Sequence, residues 1–192
     1  KFGYDQAVSR ASDSLSYVYR LDEKYWLMML DSCICEPVHE TGGKLSEETV
    51  AWMKTQLEEA KKQGVTVIPV SHHNLLDEST LYPEECTIEN TKEVTALLET
   101  YGVPVYLSGH LHLQRIKKHT SNLNTPGGYG IREIVTSPLP MAPCQYSILN
   151  WQADGSLSYH TKKVDIAGWA QRYGEEDENL LNFDAYADQF LV

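Results

Sequence analysis

The sequence predicts an α/β fold built on a parallel sheet, and three observations support this prediction. Short continuous apolar runs, typical of strands buried on both faces, occur at residues 25–30, 65–70 and 103–107. Segments whose apolar residues recur at helical spacing separate these runs. Capping and turn residues stand where one kind of segment passes into the next. An alternation of strand, helix, strand, helix and strand is the pattern of a parallel sheet covered by helices.

The first strand and the first helix are marked at their ends. The apolar run at 25–30 stops at Asp31, and residues 33–43 read as a loop. Ser46 precedes two glutamates, the pattern of an N-cap followed by carboxylates that favour the positive end of the helix dipole. Gly64 stands where a left-handed residue is expected to end this helix.

The next two strands are expected to end at the same edge of the sheet. Residues 65–70 form a strand in which Pro69 indicates a sheet edge or a bulge, because proline has no N–H to donate. A second helix is predicted from Asn90, with Glu93 completing a capping box, to Gly102. The strand at 103–107 follows. Parallel sheets bind ligands outside the carboxyl ends of their strands, so this edge is the expected site.

The pattern becomes β-rich after these elements. Strands are predicted at 131–136, 146–151 and 157–163, and the last two are joined by a turn that indicates a hairpin. From Ile166 onward the chain is acidic and then amphipathic, which predicts a helical tail. We therefore expect one domain over residues 1–165 and a tail over residues 166–192.

The composition argues against two kinds of partner. Sixteen Lys and Arg against 27 Asp and Glu give a formal net charge of −11, which disfavours a nucleic-acid partner. The chain has no run of the ~18 apolar residues that a membrane span requires. It begins with Lys1 and its first residues do not form a signal peptide, so any such segment is expected upstream. The location is open between the cytoplasm and a bacterial cell envelope or secreted setting.

Three histidines follow the predicted strands in a pattern that metal chemistry explains. In an extended segment residues i and i+2 project to the same side, so His110 and His112 are expected to point at one metal ion or two adjacent ones. His72 ends the neighbouring strand and is expected to approach the same cleft. His73 points to the opposite side of a regular strand, which predicts a supporting or substrate-contacting role. An HxH pair alone also occurs among ordinary histidines, and the Cys33-x-Cys35 pair is read as ordinary loop cysteines.

Four segments occur in an order that is more specific than any one of them. They are a strand ending in Leu30-Asp31-Ser32, Gly43-Lys44-Leu45-Ser46 before a helix bearing Trp52, a strand ending in His72-His73, and Gly109-His110-Leu111-His112. This order resembles the second half of calcineurin-like metallophosphoesterases, and the resemblance covers residues 2–164.

The resemblance implies a β-sandwich flanked by helices, of which this chain supplies the second half. It also implies that His72 and His110 bind one metal ion and that His112 binds the other. The family's remaining ligands lie in three earlier motifs, DxH, GDxxD and GNHD, and the last also supplies a histidine that assists the leaving group. None of the three occurs in this sequence. We therefore expect the missing amino-terminal half of the domain to supply them, and no catalytic residue in this chain.

The implied function is hydrolysis of phosphate mono- or diesters by a binuclear centre of two divalent ions, which are Mn, Fe or Zn. The isolated chain is expected to be inactive, because it lacks the carboxylate that bridges the metals. The expected partners are a small phosphoester substrate and the missing half of the domain. His73, Asn74 and Tyr82 follow a metal-bearing strand and are predicted to lie next to the substrate.

Two alternatives are left open. In the first, the chain belongs to a catalytically inactive scaffold that keeps the fold and binds a protein or ligand through the former cleft. Intact upstream motifs would favour the enzyme, and their replacement would favour the scaffold. In the second, His72, His110 and His112 form a mononuclear zinc site with an open position for water, a known catalytic ligand set that needs no missing residues. That site leaves the resemblance along the rest of the chain unexplained.

Overall fold

The structure is a computed structural model that describes residues 3–35, 37–78, 85–120, 130–152 and 154–189. The chain divides into two compact units, Lys1–Val135 and Thr136–Val192. The predicted α/β class is confirmed, because the first unit is a mixed sheet with flanking helices. The expected boundary at residue 165 stays a prediction.

Within the described part of the first unit, seven strands form one sheet in the order β1-β2-β3-β4-β5-β7-β6. The strands β3, β4, β5 and β7 run parallel to one another, whereas β1, β2 and β6 pair antiparallel. Their bounds are Ser9–Arg10 (β1), Tyr17–Arg20 (β2), Tyr25–Met29 (β3), Thr66–Val70 (β4), Val105–Ser108 (β5), Arg115–Lys118 (β6) and Arg132–Val135 (β7).

The first helix, α1, runs over Glu47–Gln63 and begins and ends as predicted. The Ser46 side chain accepts a hydrogen bond of 2.9 Å from the Thr49 N–H, which satisfies one of the free N–H groups of the first turn. Gly64 ends the helix with φ 68°, in the left-handed region that glycine adopts without steric cost.

The second helix, α2, runs over Thr91–Thr100, but its predicted capping box is wrong. The Asn90 side chain makes no hydrogen bond to the helix. Its Oδ1 instead accepts from the Leu45 N–H at 3.2 Å, and its Nδ2 donates to the Leu45 carbonyl at 2.9 Å. The side chain is therefore used to pair with the segment that leads into α1.

The core of the first unit lies between the sheet and the two helices. Residues of β3 alternate between buried and half-buried, and Trp26 and Met28 are the buried ones. They share one apolar cluster with Met53 and Leu57 of α1 and with Leu98 of α2. Burial of such side chains is the main favourable term in folding, and each contributes about 1.5–3 kcal/mol.

Pro69 does not mark a sheet edge, because β4 is the middle strand of the seven. The Thr66 N–H donates to the β3 side and the Ser71 N–H donates to Leu107 on the β5 side. Because the N–H groups of successive residues in a strand point to opposite sides, position 69 faces the same side as Ser71. The N–H that Pro69 lacks would therefore have pointed toward β5. There the register pairs only Val70 with Leu107 in the described strands, so proline removes no bond from a long ladder.

The second unit contains the predicted hairpin, formed by β8 (Gln145–Trp151) and β9 (Leu157–Lys163). Three helices follow, α3 (Ile166–Tyr173), α4 (Glu178–Leu181) and α5 (Phe183–Gln189). The predicted helical tail is thus interrupted, and α3 ends at Gly174 with φ 70°. Among the described residues no helix is long and apolar enough to cross a membrane.

Candidate functional site

The carboxyl ends of β4 and β5 lie side by side at one edge of the sheet. Backbone hydrogen bonds join them beyond the strands, from the Ser71 N–H to the Leu107 carbonyl at 3.0 Å and from the Gly109 N–H to the His72 carbonyl at 3.1 Å. Because His110 follows Gly109 directly, the hydrogen bond between Gly109 and His72 brings the His72 and His110 side chains together.

The two imidazole rings are in direct contact. His110 Nδ1 lies 2.9 Å from His72 Nε2, and the ring centroids are 4.8 Å apart at 80°. A metal bound by imidazole at ~2.1 Å has neighbouring octahedral ligands about 3.0 Å apart. The spacing of these two nitrogens therefore fits adjacent ligands of one divalent ion.

The surroundings favour neutral imidazole at both positions. Burial lowers the pKa of His110, and the neighbouring histidines His73, His72 and His112 lower it further, against an opposing hydrogen bond with the Glu85 backbone. Burial also lowers the pKa of His72, with additional contributions from His73 and His112. Neutral imidazole is the form that binds metal ions.

The extended geometry predicted for His110 and His112 is wrong. Strand β5 ends at Ser108, the Leu111 N–H donates back to the Gly109 carbonyl, and both histidines have left-handed φ values of 62° and 53°. Histidine is enriched in this region relative to most side chains. Among the described residues no three His, Cys, Asp or Glu side chains converge as a metal site. The structure thus joins His72 to His110 and leaves His112 exposed, and ligation by all three stays a prediction.

His73 is a buried support of this pair, with only 3% of its surface exposed. Its Nε2 lies 3.0 Å from the Thr41 carbonyl, which can only accept, so Nε2 carries the proton. Nδ1 lies 2.8 Å from the Ser32 hydroxyl, which also accepts from the His73 N–H at 3.3 Å. With both nitrogens engaged, the ring packs 4.7 Å from that of His110.

Gly43 makes room for the His73 ring. A Cβ atom at this position would lie 2.4 Å from the His73 Cγ and 2.5 Å from its Nδ1, far inside van der Waals contact. Gly43 itself is held by bridges to Cys33 and Ile88. The requirement at Gly43 is therefore close approach of a side chain, not an unusual backbone angle.

Asn74 fixes the backbone that precedes His110. Its Nδ2 donates to the Ser108 hydroxyl at 2.9 Å and to the Gly109 carbonyl at 3.1 Å, and the residue is fully buried. Substrate contact by His73 and Asn74 stays a prediction, and in the structure both side chains hold neighbouring chain segments. Tyr82 lies outside the described residues.

A buried glutamate, which the sequence reasoning missed, lies behind the site. Glu133 of β7 accepts hydrogen bonds from the Leu75 N–H, the Leu76 N–H and the Ser108 hydroxyl at 2.7, 2.6 and 2.6 Å. Burial raises the pKa of Glu133 to about 7, against these hydrogen bonds, which lower it. The signal was available in the sequence, because two charged residues, Arg132 and Glu133, interrupt the otherwise apolar segment 131–135.

A second buried carboxyl lies next to Glu133. Burial raises the pKa of Glu78, against the nearby cations Lys117 and Arg115. Arg115 at the start of β6 brings its Nε within 3.3 Å of Glu78 Oε2 and donates from Nη1 to the Glu78 carbonyl at 2.7 Å. This ion pair joins β6 to the segment that follows His72 and His73.

A cavity of about 660 Å³ opens beside His72. Its walls come from the ends of β3 and β4 and from the aromatic side chains of Tyr4 and Tyr17. The two tyrosine rings meet edge to face, with centroids 5.3 Å apart. The exposed nitrogen pair is therefore adjacent to a largely apolar space in the first unit.

Comparisons with known proteins define the class of fold. No protein-family profile and no curated protein sequence matches the chain. The structure is similar to a dimetal phosphatase from Danio rerio, with a TM-score of 0.52, 14% identity, and coverage of 67% of this chain and 52% of that one. It also matches a protein from Staphylococcus aureus assigned as a 5′-nucleotidase and solved with alpha-ketoglutarate, with a TM-score of 0.45, 12% identity and coverage of 92% and 34%.

The fold of this chain thus resembles that of the dimetal phosphatase. The chain spans about half the length of the dimetal phosphatase and about a third of the nucleotidase. At these identities the likeness concerns the fold alone.

Proposed function

We propose that this chain is the histidine-bearing part of a metal-dependent phosphoesterase. The observation that carries the proposal is the 2.9 Å contact between His110 Nδ1 and His72 Nε2, at the strand-end edge of a metallophosphoesterase-type sheet. Their surroundings favour the neutral imidazole, and both histidines follow the carboxyl ends of two adjacent parallel strands, which is the expected place for a ligand site.

The proposed centre holds two divalent ions, Mn, Fe or Zn. His72 and His110 would bind one ion and His112 the other, while carboxylate ligands would come from the missing half of the domain. When bound, such a pair supplies Lewis-acid activation of water and neutralises the charge of a phosphate group. The chain's acidic balance, a formal net charge of −11, is compatible with an anionic substrate because the ions supply local positive charge.

The chain's own residues would bind and orient in this reaction. The hydrogen bond between His110 Nδ1 and His72 Nε2 holds the two imidazoles side by side, His73 packs against the His110 ring, and Asn74 holds the Gly109 carbonyl in place. The cavity beside His72 would take the organic part of a small phosphoester. Hydrolysis itself would need the missing half.

The test is a calorimetric titration of the purified chain with Mn²⁺ and with Zn²⁺. We expect weak binding that falls at least tenfold in His72→Ala and in His110→Ala, because each removes one of two adjacent ligands. His39→Ala, at an exposed position of the same unit, is the matched control and should bind as the wild type does. Equal affinities in all four proteins would refute the site.

A second measurement addresses activity. The isolated chain should not hydrolyse a chromogenic phosphate mono- or diester in Mn²⁺, whereas a longer chain that carries DxH, GDxxD and GNHD motifs should. Appreciable metal-dependent turnover by the isolated chain would contradict the expectation that carboxylates from the missing half are needed.

One observation favours the alternative of an inactive binding scaffold. Within the described residues no group of three metal-ligating side chains converges, so the chain alone does not show a complete site. An extended chain that folds but neither binds metal nor hydrolyses these esters would support the scaffold.

A further inference from the structure

We propose that Glu133 is a positioning residue of the histidine site, which sets the spacing of His72 and His110 through Ser108. This role adds a positioning residue to the proposed function. Its expected effect on metal binding rests on that proposed function. Its effect on the spacing of His72 and His110 concerns the metal-free chain and does not depend on a bound metal.

The two oxygens of the Glu133 carboxyl bond to both histidine-bearing segments. Oε1 accepts from the Leu75 N–H at 2.7 Å and from the Ser108 hydroxyl at 2.6 Å, and Oε2 accepts from the Leu76 N–H at 2.6 Å. Leu75 lies three residues after His72, and Ser108 lies two residues before His110. One side chain on a third strand therefore ties the two segments together.

Ser108 extends this link toward His110. Its hydroxyl donates to Glu133 and accepts from Asn74 Nδ2 at 2.9 Å, and the same Nδ2 donates to the Gly109 carbonyl at 3.1 Å. Asn74 belongs to the segment that carries His72. The hydrogen bonds thus form a closed ring that joins the two segments from which the paired imidazoles extend.

The burial of Glu133 indicates a specific role. The side chain has no exposed surface, and ionised or neutral carboxyl groups are costly to bury unless their oxygens are hydrogen-bonded. An apolar residue would serve a strand interior better, as at the neighbouring Ile134 and Val135. The three hydrogen bonds of Glu133 described above go to the two segments that flank the histidines, which is what positioning requires.

The test compares Glu133→Gln and Ser108→Ala with Val18→Ala. Glu133→Gln would turn an NH₂ group toward a backbone N–H. Ser108→Ala would remove the hydroxyl that links Glu133 to Asn74 without altering charge. Val18→Ala is the control, because Val18 is a buried β2 residue of the same core whose loss destabilises the unit away from the site.

The first readout is ¹⁵N NMR of the histidine rings in the metal-free chain. We expect the His72 Nε2 and His110 Nδ1 signals to move in Glu133→Gln and in Ser108→Ala, and to stay in place in Val18→Ala. The second readout is a Zn²⁺ titration, in which the first two variants should bind at least tenfold more weakly than the control.

These readouts separate the two proposals. Ring signals that are unchanged in both Glu133→Gln and Ser108→Ala would overturn the positioning role, whatever the metal affinity. Ring signals that move while the wild type binds no Zn²⁺ would support positioning and refute the metal site. Should Glu133→Gln not fold, Ser108→Ala alone decides, since it keeps the buried carboxyl.

Discussion

Replacing Gly43 with alanine would drive a methyl group into the ring of His73. The added Cβ would lie 2.4 Å from Cγ, 2.5 Å from Nδ1 and 2.8 Å from Cβ of that side chain. Ordinary contact begins at 3.4 Å, so the ring must retreat by about 1 Å. The backbone at Gly43 needs no left-handed angle, so the whole effect comes from this contact.

The size of the destabilisation follows from the hydrogen bonds that the His73 ring makes. A retreat of about 1 Å breaks the hydrogen bonds with Ser32 at 2.8 Å and with Thr41 at 3.0 Å, since such bonds rarely exceed ~3.2 Å. Two lost hydrogen bonds cost about 2 kcal/mol, and forcing a methyl group into a packed site costs ~1–3 kcal/mol. Gly43→Ala should therefore lower the free energy of unfolding by about 3–5 kcal/mol.

The assay is urea unfolding followed by tryptophan fluorescence, with Gly42→Ala as the matched control. A Cβ at Gly42 meets nothing within 4 Å, so its free energy of unfolding should stay within about 1 kcal/mol of the wild type. If Gly43→Ala were no less stable than Gly42→Ala, the packing of His73 against Gly43 would be wrong.

Two further predictions concern stability. Ser46→Ala removes the acceptor of the Thr49 N–H and should cost about 1 kcal/mol in urea unfolding, whereas Ser46→Asn keeps an acceptor; equal losses would contradict the cap. Burial raises the pKa of Glu133 from its ordinary 4.5 to about 7, so the folded chain keeps a proton that the unfolded chain loses. The protonated carboxyl therefore contributes about 3 kcal/mol to the free energy of unfolding. This stabilisation is fully present below pH 4.5 and is lost as the pH rises through 7. Between pH 5 and pH 8 the free energy of unfolding should therefore fall less in Glu133→Gln than in the wild type. An equal fall in the two proteins would contradict this prediction.

The elements that sequence reasoning placed correctly have local signals. Strand β3 is a continuous apolar run, and α1 carries its own cap at Ser46 and its own stop at Gly64. Strands β1, β2 and β6 were missed because they are short and partly exposed, and only their neighbours in the sheet make them strands. A pairing partner far along the chain leaves no periodic mark in such segments.

The candidate site divides in the same way. The approach of His72 to His110 followed from two parallel strands ending at one edge. The left-handed turn at His110 and His112 did not, because the strand ends at Ser108 and a regular continuation was assumed. The role of Glu133 was also missed, since its hydrogen bonds reach residues 25 and 57–58 positions away.

The pairing of Asn90 with Leu45 has a consequence for how the first unit opens. Local unfolding usually proceeds in contiguous cooperative segments, and two helices distant in sequence would ordinarily fray separately. Here an amide side chain at the start of α2 bonds both backbone groups of the residue that leads into α1. Fraying at the amino terminus of either helix therefore breaks these two hydrogen bonds, which couples the start of α1 to the start of α2 although 45 positions separate Leu45 from Asn90.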